Sequence, residues 1–407
     1  MKSVKAIVFM LIAGSVIFAL IIFKDSFIPA SNDAGDDIAF YEKDITPGNM
    51  NGVRPDVIKA GDSFYINFLQ TEPKRSLGMI KVDSRLNTQY LGEIYSGQDG
   101  SNPTDARMAV DGKNNIWYSF EAVYSGPDKN YLNLARYGAD GRTLELIDTK
   151  DKIAQGVLAS PEINKFPESG SEQVDDPLPF YYSGKYYVMT RTFQSPVYKV
   201  RVFDNSFNLI DSYSLDLAPA IGQNALSVNS LVEIEGEIYM ITGVFNNRPP
   251  GDPEAISKIV AIPLQKDLRE AKGDKIELTN GKKYSSYVSS AKYKDGKLYV
   301  LYNNFIGKTG NNLHEGVLEI YDAKNNFSRI RAIKINGGKM IDNHMTMEFM
   351  GDRLYVLYNT PEEKLFVKVF ALKEIQTNKF SLPLTFFNSL VNIKTSLISN
   401  LKQKKDR

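Results

Sequence analysis

An all-β fold assembled from six copies of one unit is what this 407-residue sequence predicts, and three observations predict it. The first is a hairpin pattern, clearest from Tyr287 to Phe305 (YVSSAKYKDGKLYVLYNNF). An alternating apolar run meets an Asp295-Gly296 turn and then the dense strand Leu298, Tyr299, Val300, Leu301, Tyr302. The second is its recurrence at Asp56 to Leu69, Arg107 to Phe120, Leu178 to Thr190, Ser230 to Thr242 and Met345 to Tyr358. The third is spacing. The tyrosines that follow the turn, Tyr65, Tyr118, Tyr187, Tyr239, Tyr299 and Tyr355, stand 53, 69, 52, 60 and 56 residues apart. A period of roughly 50 to 60 residues belongs to a closed ring of sheets or a solenoid.

The content of each unit chooses the ring. Past its hairpin each copy runs on into a third strand and often a turn and a fourth, as in Lys199 to Ser214 and Gly316 to Ile333. Four strands make one propeller blade. The second strand of each hairpin is apolar on both sides of the pleat, which suits a sheet packed between two others. In this pattern of apolar strand, glycine turn and aromatic-Tyr strand the chain resembles the β-propeller superfamily over about Asp37 to Leu372. The expectation is a six-bladed β-propeller over residues 37–380, flanked by an N-terminal transmembrane helix and a C-terminal amphipathic helix.

Taken in order, the chain opens with Lys2 and Lys5, then an uninterrupted apolar segment from Ala6 to Phe23 closed by Lys24-Asp25. It is long enough to cross a ~30 Å hydrocarbon layer as a helix. Residues 1–24 are therefore read as an uncleaved signal anchor. The basic N-terminus stays inside, leaving a single-pass membrane protein with its propeller on the extracytoplasmic side. Residues 25–36 form a polar linker. Ile38 to Ile45 (IAFYEKDI) reads as a lone strand, and its natural place is the outer edge of the last unit, whose hairpin is followed only by Leu365 to Leu372. Placed there it closes the ring and removes an exposed edge. Over residues 381–407, Phe386, Phe387, Leu390, Val391, Leu397, Ile398 and Leu401 recur at the spacing of one helical stripe, followed by Lys402, Lys404, Lys405 and Arg407. That segment suits packing on the propeller or lying on anionic lipid.

Composition narrows the function. Forty-nine basic and 48 acidic residues balance to a net charge of +1, without the basic excess of a nucleic-acid surface. The absence of cysteine removes disulfides and thiolate metal sites. With His314 and His344 the only histidines, no histidine cluster can hold a metal. No cofactor is expected. The Asp-Asn-rich turns at Asp204-Asn205 and Asp322 to Asn326 lack calcium-loop spacing and read as hairpin turns. Tyr124, Tyr131 and Tyr284 read as loop tyrosines able to stack on sugar rings.

In a blade the first strand lines the channel, so the residues just before it should converge on one mouth. They are Arg54-Pro55-Asp56, Thr104-Asp105-Ala106-Arg107, Val174-Asp175-Asp176-Pro177, Val228-Asn229-Ser230, Val288-Ser289-Ser290 and Asn343-His344. The candidate ligand-binding set is Arg54, Asp56, Asp105, Arg107, Asp175, Asp176, Asn229 and His344, with Arg191 near the acids. Three acids from three successive units resemble the arrangement in arabinanase- and xylosidase-type propeller glycosidases. That resemblance implies catalytic roles for Asp56, Asp105 and Asp176, with two carboxylates acting across a sugar as general acid and base. The third position is Asp here where those enzymes carry Glu. Two functions follow as expectations. One is a membrane-anchored binding or scaffold module for a glycan or protein partner, and the other is a glycan-cleaving hydrolase.

Overall fold

The computed structural model describes residues 40–376 apart from 73, 96–100, 125–129, 140–143, 147–174, 192–194, 207, 222–229, 246–256, 280–285, 306–313 and 336–343. The expected signal anchor, the linker and the C-terminal amphipathic segment lie outside the described residues. Among the described residues no helix is long and apolar enough to cross a membrane.

The first described element is β1 (Phe40–Asp44), and five complete sheets follow it. The first holds β2 (Gly52–Ala60), β3 (Ser63–Gln70), β4 (Ser76–Asp83) and β5 (Thr88–Tyr95), and the second β6 (Ser101–Val110), β7 (Ile116–Tyr124), β8 (Asn130–Ala139) and β9 (Leu144–Leu146). The third comprises β10 (Asp175–Tyr182), β11 (Lys185–Arg191), β12 (Val197–Phe203) and β13 (Leu209–Asp216), followed by the short α1 (Ala218–Ile221). The fourth is β14 (Ser230–Ile234), β15 (Glu237–Phe245), β16 (Ser257–Leu264) and β17 (Ile276–Glu277). The fifth is β18 (Ser286–Lys294), β19 (Lys297–Phe305), β20 (His314–Asp322) and β21 (Ser328–Lys334). The last contains β22 (Met345–Met350), β23 (Arg353–Asn359) and β24 (Leu365–Ala371), with α2 (Leu372–Ile375) after it. Its fourth strand is β1, in the order β1-β24-β23-β22, so the N-terminal strand does complete the last sheet.

Every sheet is four-stranded and antiparallel, five of them as meanders of consecutive strands and the last completed by β1, and together they form a β-propeller. Packing follows the sheet order. One apolar cluster joins the first and second sheets through Tyr65, Met79, Met108 and Tyr118, and another joins the second and third through Trp117, Tyr186 and Phe203. Further clusters join the third to the fourth through Met189 and Met240, the fourth to the fifth through Ile241 and Val300, and the fifth to the last through Leu301 and Met347. Around Phe64, Phe68, Tyr355 and Leu357 a sixth cluster returns from the last sheet to the first. This continuous burial explains the second-strand sequences: β11 and β23 are buried at every position after the first. The glycines Gly52 and Gly78 serve close packing there, since a Cβ on either would meet the fully buried Phe68 ring at 2.8 Å.

The turns repeat as well. Asp83, Asp111 and Asp204 each accept, on Oδ1, the N–H groups two and four residues on, while the Asn at the fourth position donates its Nδ2 to Oδ2. Such Asx turns hold the carboxylate within local backbone bonds. Asp322 makes the first of these bonds to Lys324. Two tyrosines expected in loops are strand residues instead: Tyr124 ends β7 and Tyr131 lies in β8, because each continues its strand's ladder, opposite Ser101 and Ala122 respectively. Tyr284 lies outside the described residues.

Candidate functional site

Six of the candidate residues are placed not just before the inner strands, as the sequence pattern suggests, but inside them. Arg54, Pro55 and Asp56 belong to β2, Asp105 and Arg107 to β6, and Asp175 and Asp176 to β10. What disguises this is a β-bulge at the same place in four sheets, between Val53 and Asp56, Pro103 and Ala106, Asp175 and Leu178, and Val288 and Ser290. Each puts one extra residue on the inner strand, which twists the strand and re-aims the next side chain. Arg54, in the first bulge, takes φ of +53°.

Register below the bulges sets one residue per sheet at a common level. Asp56 lies opposite Asn67, Ala106 opposite Phe120, Leu178 opposite Met189, Ser230 opposite Ile241, Ser290 opposite Leu301 and Thr346 opposite Leu357. In every case the partner stands two residues beyond the marker tyrosine of its sheet. The result is a collar of three hydroxyls and one carboxylate around the axis. It borders a cavity of about 310 Å³ lined by all six inner strands, with Asp56, Arg107, Ser230, Ser290, Lys292 and Thr346 among its polar lining.

The collar stitches neighbouring sheets together. Asp56 accepts the Met108 N–H at 2.8 Å on Oδ2 and the Thr346 hydroxyl at 3.2 Å on Oδ1, so it ties the first sheet to both of its neighbours. The Ala291 N–H donates to Ser230 Oγ at 3.0 Å. Two residues deeper, Lys292 Nζ meets Glu348 Oε2 at 2.7 Å between the fifth and last sheets. Burial in the cavity wall pushes the Asp56 carboxyl above its ordinary value. The Arg107 guanidinium, the Met108 bond, the Lys292 ammonium and the Thr346 bond all oppose this, but burial prevails. For Lys292, burial pulls the pKa down, yet the Glu348 charge and hydrogen bond, with Asp56 behind them, carry it up.

The eight sequence candidates divide clearly. Asp56 and Arg107 reach the cavity. Arg54 sits in the first bulge, His344 stands immediately before β22, and Asn229 lies outside the described residues. Asp105, Asp175 and Asp176 have described backbone only. Asp105 adjoins the collar residue Ala106, Asp176 stands two residues from Leu178, and Asp175 lies opposite Arg191 in the ladder. Ser230 and Ser290 were among the expected mouth entries though not in the candidate set, while sequence reasoning missed Lys292, Glu348 and Thr346 as collar or ion-pair residues. A charged residue interrupting an apolar first strand, as in Ala291-Lys292-Tyr293 and Met347-Glu348-Phe349, was the available signal. Among the described residues no group of three or more His, Cys, Asp or Glu could hold a metal ion.

One pH effect follows. The Asp56 carboxyl holds its proton more tightly in the folded chain than in the unfolded one. Stability attributable to it therefore falls as pH rises from the ordinary carboxylate value to the raised one, and stays lower above that. Asp56→Asn keeps an acceptor for Met108 and removes the charge. Urea melts across pH 4 to 8 should show a flatter profile for this variant, and an unchanged slope would contradict the assignment.

No protein-family model and no curated protein sequence matches the chain. Among solved structures, an α-L-arabinofuranosidase from Fusarium graminearum, solved as a mutant with an iminosugar inhibitor, is similar with TM-score 0.59 at 11% identity, over 83% of this chain and 99% of that one. The same enzyme with arabinobiose gives TM-score 0.58 at 11% identity over the same shares. A Penicillium chrysogenum α-L-arabinanase with arabinobiose gives TM-score 0.57 at 12% identity, over 82% of this chain and 98% of that one. At these identities the likeness establishes the fold, a β-propeller whose solved neighbours include glycoside hydrolases.

Proposed function

We propose that the chain is a six-bladed propeller, one blade per sheet, that takes a glycan into its axial cavity and hydrolyses it. The observation that carries this reading is Asp56, a carboxyl of raised pKa in the wall of a cavity edged by hydroxyls and two cations. A glycosidase needs one carboxyl kept protonated to assist the leaving group and a second one ionised. Asp56 is the proton donor. Asp105 and Asp176, whose backbones stand within about two residues, or ~7 Å of strand, above the collar level, supply the second carboxylate. Arg54 and His344 stand at the mouth where sugar units are held. Arabinose-containing oligosaccharides are the first substrates to try, since the fold is shared with arabinan-acting enzymes. The propeller is held outside the cytoplasm by the Ala6 to Phe23 anchor.

A specific observation favours a second reading, binding without cleavage. Both Asp56 oxygens already accept protein hydrogen bonds, as a structural carboxylate's would. The full-length protein in detergent, incubated with arabinan, xylan and fructan oligosaccharides, separates the two. Release of shorter sugars, reduced about 100-fold or more by Asp56→Asn, is the expected result. Retention of a sugar with no release would establish binding alone, and neither outcome for any glycan would overturn both.

A further inference from the structure

The axial cavity extends from the Asp56 level toward the face that carries the first-to-second strand turns. Below the collar its lining runs on to Ile58, Val110, Tyr181, Glu233 and Tyr293 on five inner strands, while β22 contributes Thr346 alone. The farthest of these stands four residues beyond the collar level, or ~13 Å of strand. A glycan held at the mouth and meeting Asp56 at the collar therefore leaves an end unit for the space beneath. At about 310 Å³ that space is at the low end of the ~300–1,000 Å³ of ligand pockets, room for an end unit rather than a run of chain.

Charge in this space is layered. Arg107 stands one residue beyond the collar on the second sheet and Lys292 two residues beyond it on the fifth, three sheets away around the ring. The two cations thus stand on opposite sides of the axis. Lys292 is already matched by Glu348 at 2.7 Å. The half-buried Arg107 guanidinium has no hydrogen-bond or ion-pair partner among the described residues. It acts through space on Asp56, whose neutral form burial favours. A charge without a counter-charge is costly in a cavity wall, and a monoanion beside it would restore the balance. A guanidinium is a planar fork that fits a carboxylate through two parallel bonds. Doubly charged phosphate would overshoot one unmatched cation and meet the exposed Glu233 in the same lining.

We infer that the unit seated below the collar is an acidic sugar, a uronate whose carboxylate pairs with Arg107, so that Arg107 sets the substrate class. This rests on the proposed reading of the cavity as the glycan site and narrows it. An arabinose-containing oligosaccharide would be taken by a uronate unit that it carries. With its carboxylate on Arg107, such a ligand cancels one of the charges that lower the Asp56 pKa, so the sugar itself favours the protonated acid.

The test is calorimetric titration of the full-length protein in detergent with a galacturonate trisaccharide, and with the same trisaccharide after reduction of its carboxylates to hydroxymethyl groups. The acid is expected to bind at least about tenfold more tightly, by a margin that added salt narrows. Arg107→Met should abolish that preference and Arg107→Lys restore only part of it. Glu233→Gln, at an exposed position, should widen it about two- to threefold by removing a like charge. Equal affinity for both sugars, or a preference that survives in Arg107→Met, would overturn the acidic-sugar assignment while hydrolysis is judged separately by release of shorter sugars. Binding of neither sugar would overturn it as well. A preference for the acid without any release would uphold the acidic site and count against cleavage instead.

Discussion

Removal of residues 37–45 is expected to lower stability by roughly 4 to 8 kcal/mol, a large share of the 5–15 kcal/mol that holds an ordinary domain. β1 is joined to the last sheet along its full length, and its surroundings explain the size of the effect. Ile45, 2% exposed, packs in the cluster that joins the last sheet to the first. Burying an isoleucine contributes ~2 to 3 kcal/mol, and each ladder bond ~1. The Ile45 N–H donates to the Leu365 carbonyl at 2.9 Å, and the Leu365 N–H to Thr46 Oγ1 at 2.8 Å. Glu42 accepts from the Tyr358 hydroxyl and pairs with Lys368 at 3.7 Å, while Lys43 Nζ reaches the Leu86 carbonyl of the first sheet at 2.6 Å. The strand thus locks the two ends of the chain together. Urea unfolding should remain a single transition at much lower denaturant. A midpoint equal to that of the intact chain would show that closure does not depend on β1. Tyr41→Ser, at a side chain 56% exposed on the same strand, should change little.

Glu348→Ala should be the costliest single substitution at the cavity, about 2 to 4 kcal/mol. It strands Lys292, whose ammonium loses its 2.7 Å partner while held in the channel wall. An uncompensated charge costs more than the pair contributes. The companion variant Glu348→Leu with Lys292→Met removes both charges and should recover most of the loss. Failure of the double variant to recover would mean that packing, rather than charge, explains the single one. Lys292→Met alone should push the Asp56 carboxyl higher still, because the ammonium is one of the groups that lower it.

Much of the architecture is legible in the sequence because its signals are local and repeated. A turn glycine between an alternating strand and a Tyr-centred strand fixes each hairpin, and Ile38 to Ile45 stood out as a strand with no sequence neighbour to pair with. Its partner, β24, lies more than 300 residues away, yet only one open edge needed a strand. The site was less legible. Asp56 and Arg107 could be singled out as polar residues at an apolar strand. Their placement inside the strand could not, because a bulge changes the register by one residue without a composition of its own. Lys292 and Glu348 look like ordinary solvent-facing members of two alternating strands. Only the ring, which sets β18 beside β22, shows that they face each other. Tyr124 and Tyr131 were misread for a related reason: β7 and β8 run past the hairpin core, and strand ends are set by pairing across the sheet rather than by local pattern.

Central to this account is an axial cavity that works through a protonatable Asp56, and the Met108 amide, bonded to Asp56 Oδ2, reports on that group directly. The measurement is the Met108 amide resonance of the 15N-labelled full-length protein, followed through a pH titration with and without an arabino-oligosaccharide. The account predicts a titration step above the ordinary carboxylate range that moves when sugar is added and vanishes in Asp56→Asn. A step at the ordinary carboxylate value, or one that sugar leaves in place while only amides remote from the collar respond, would contradict it.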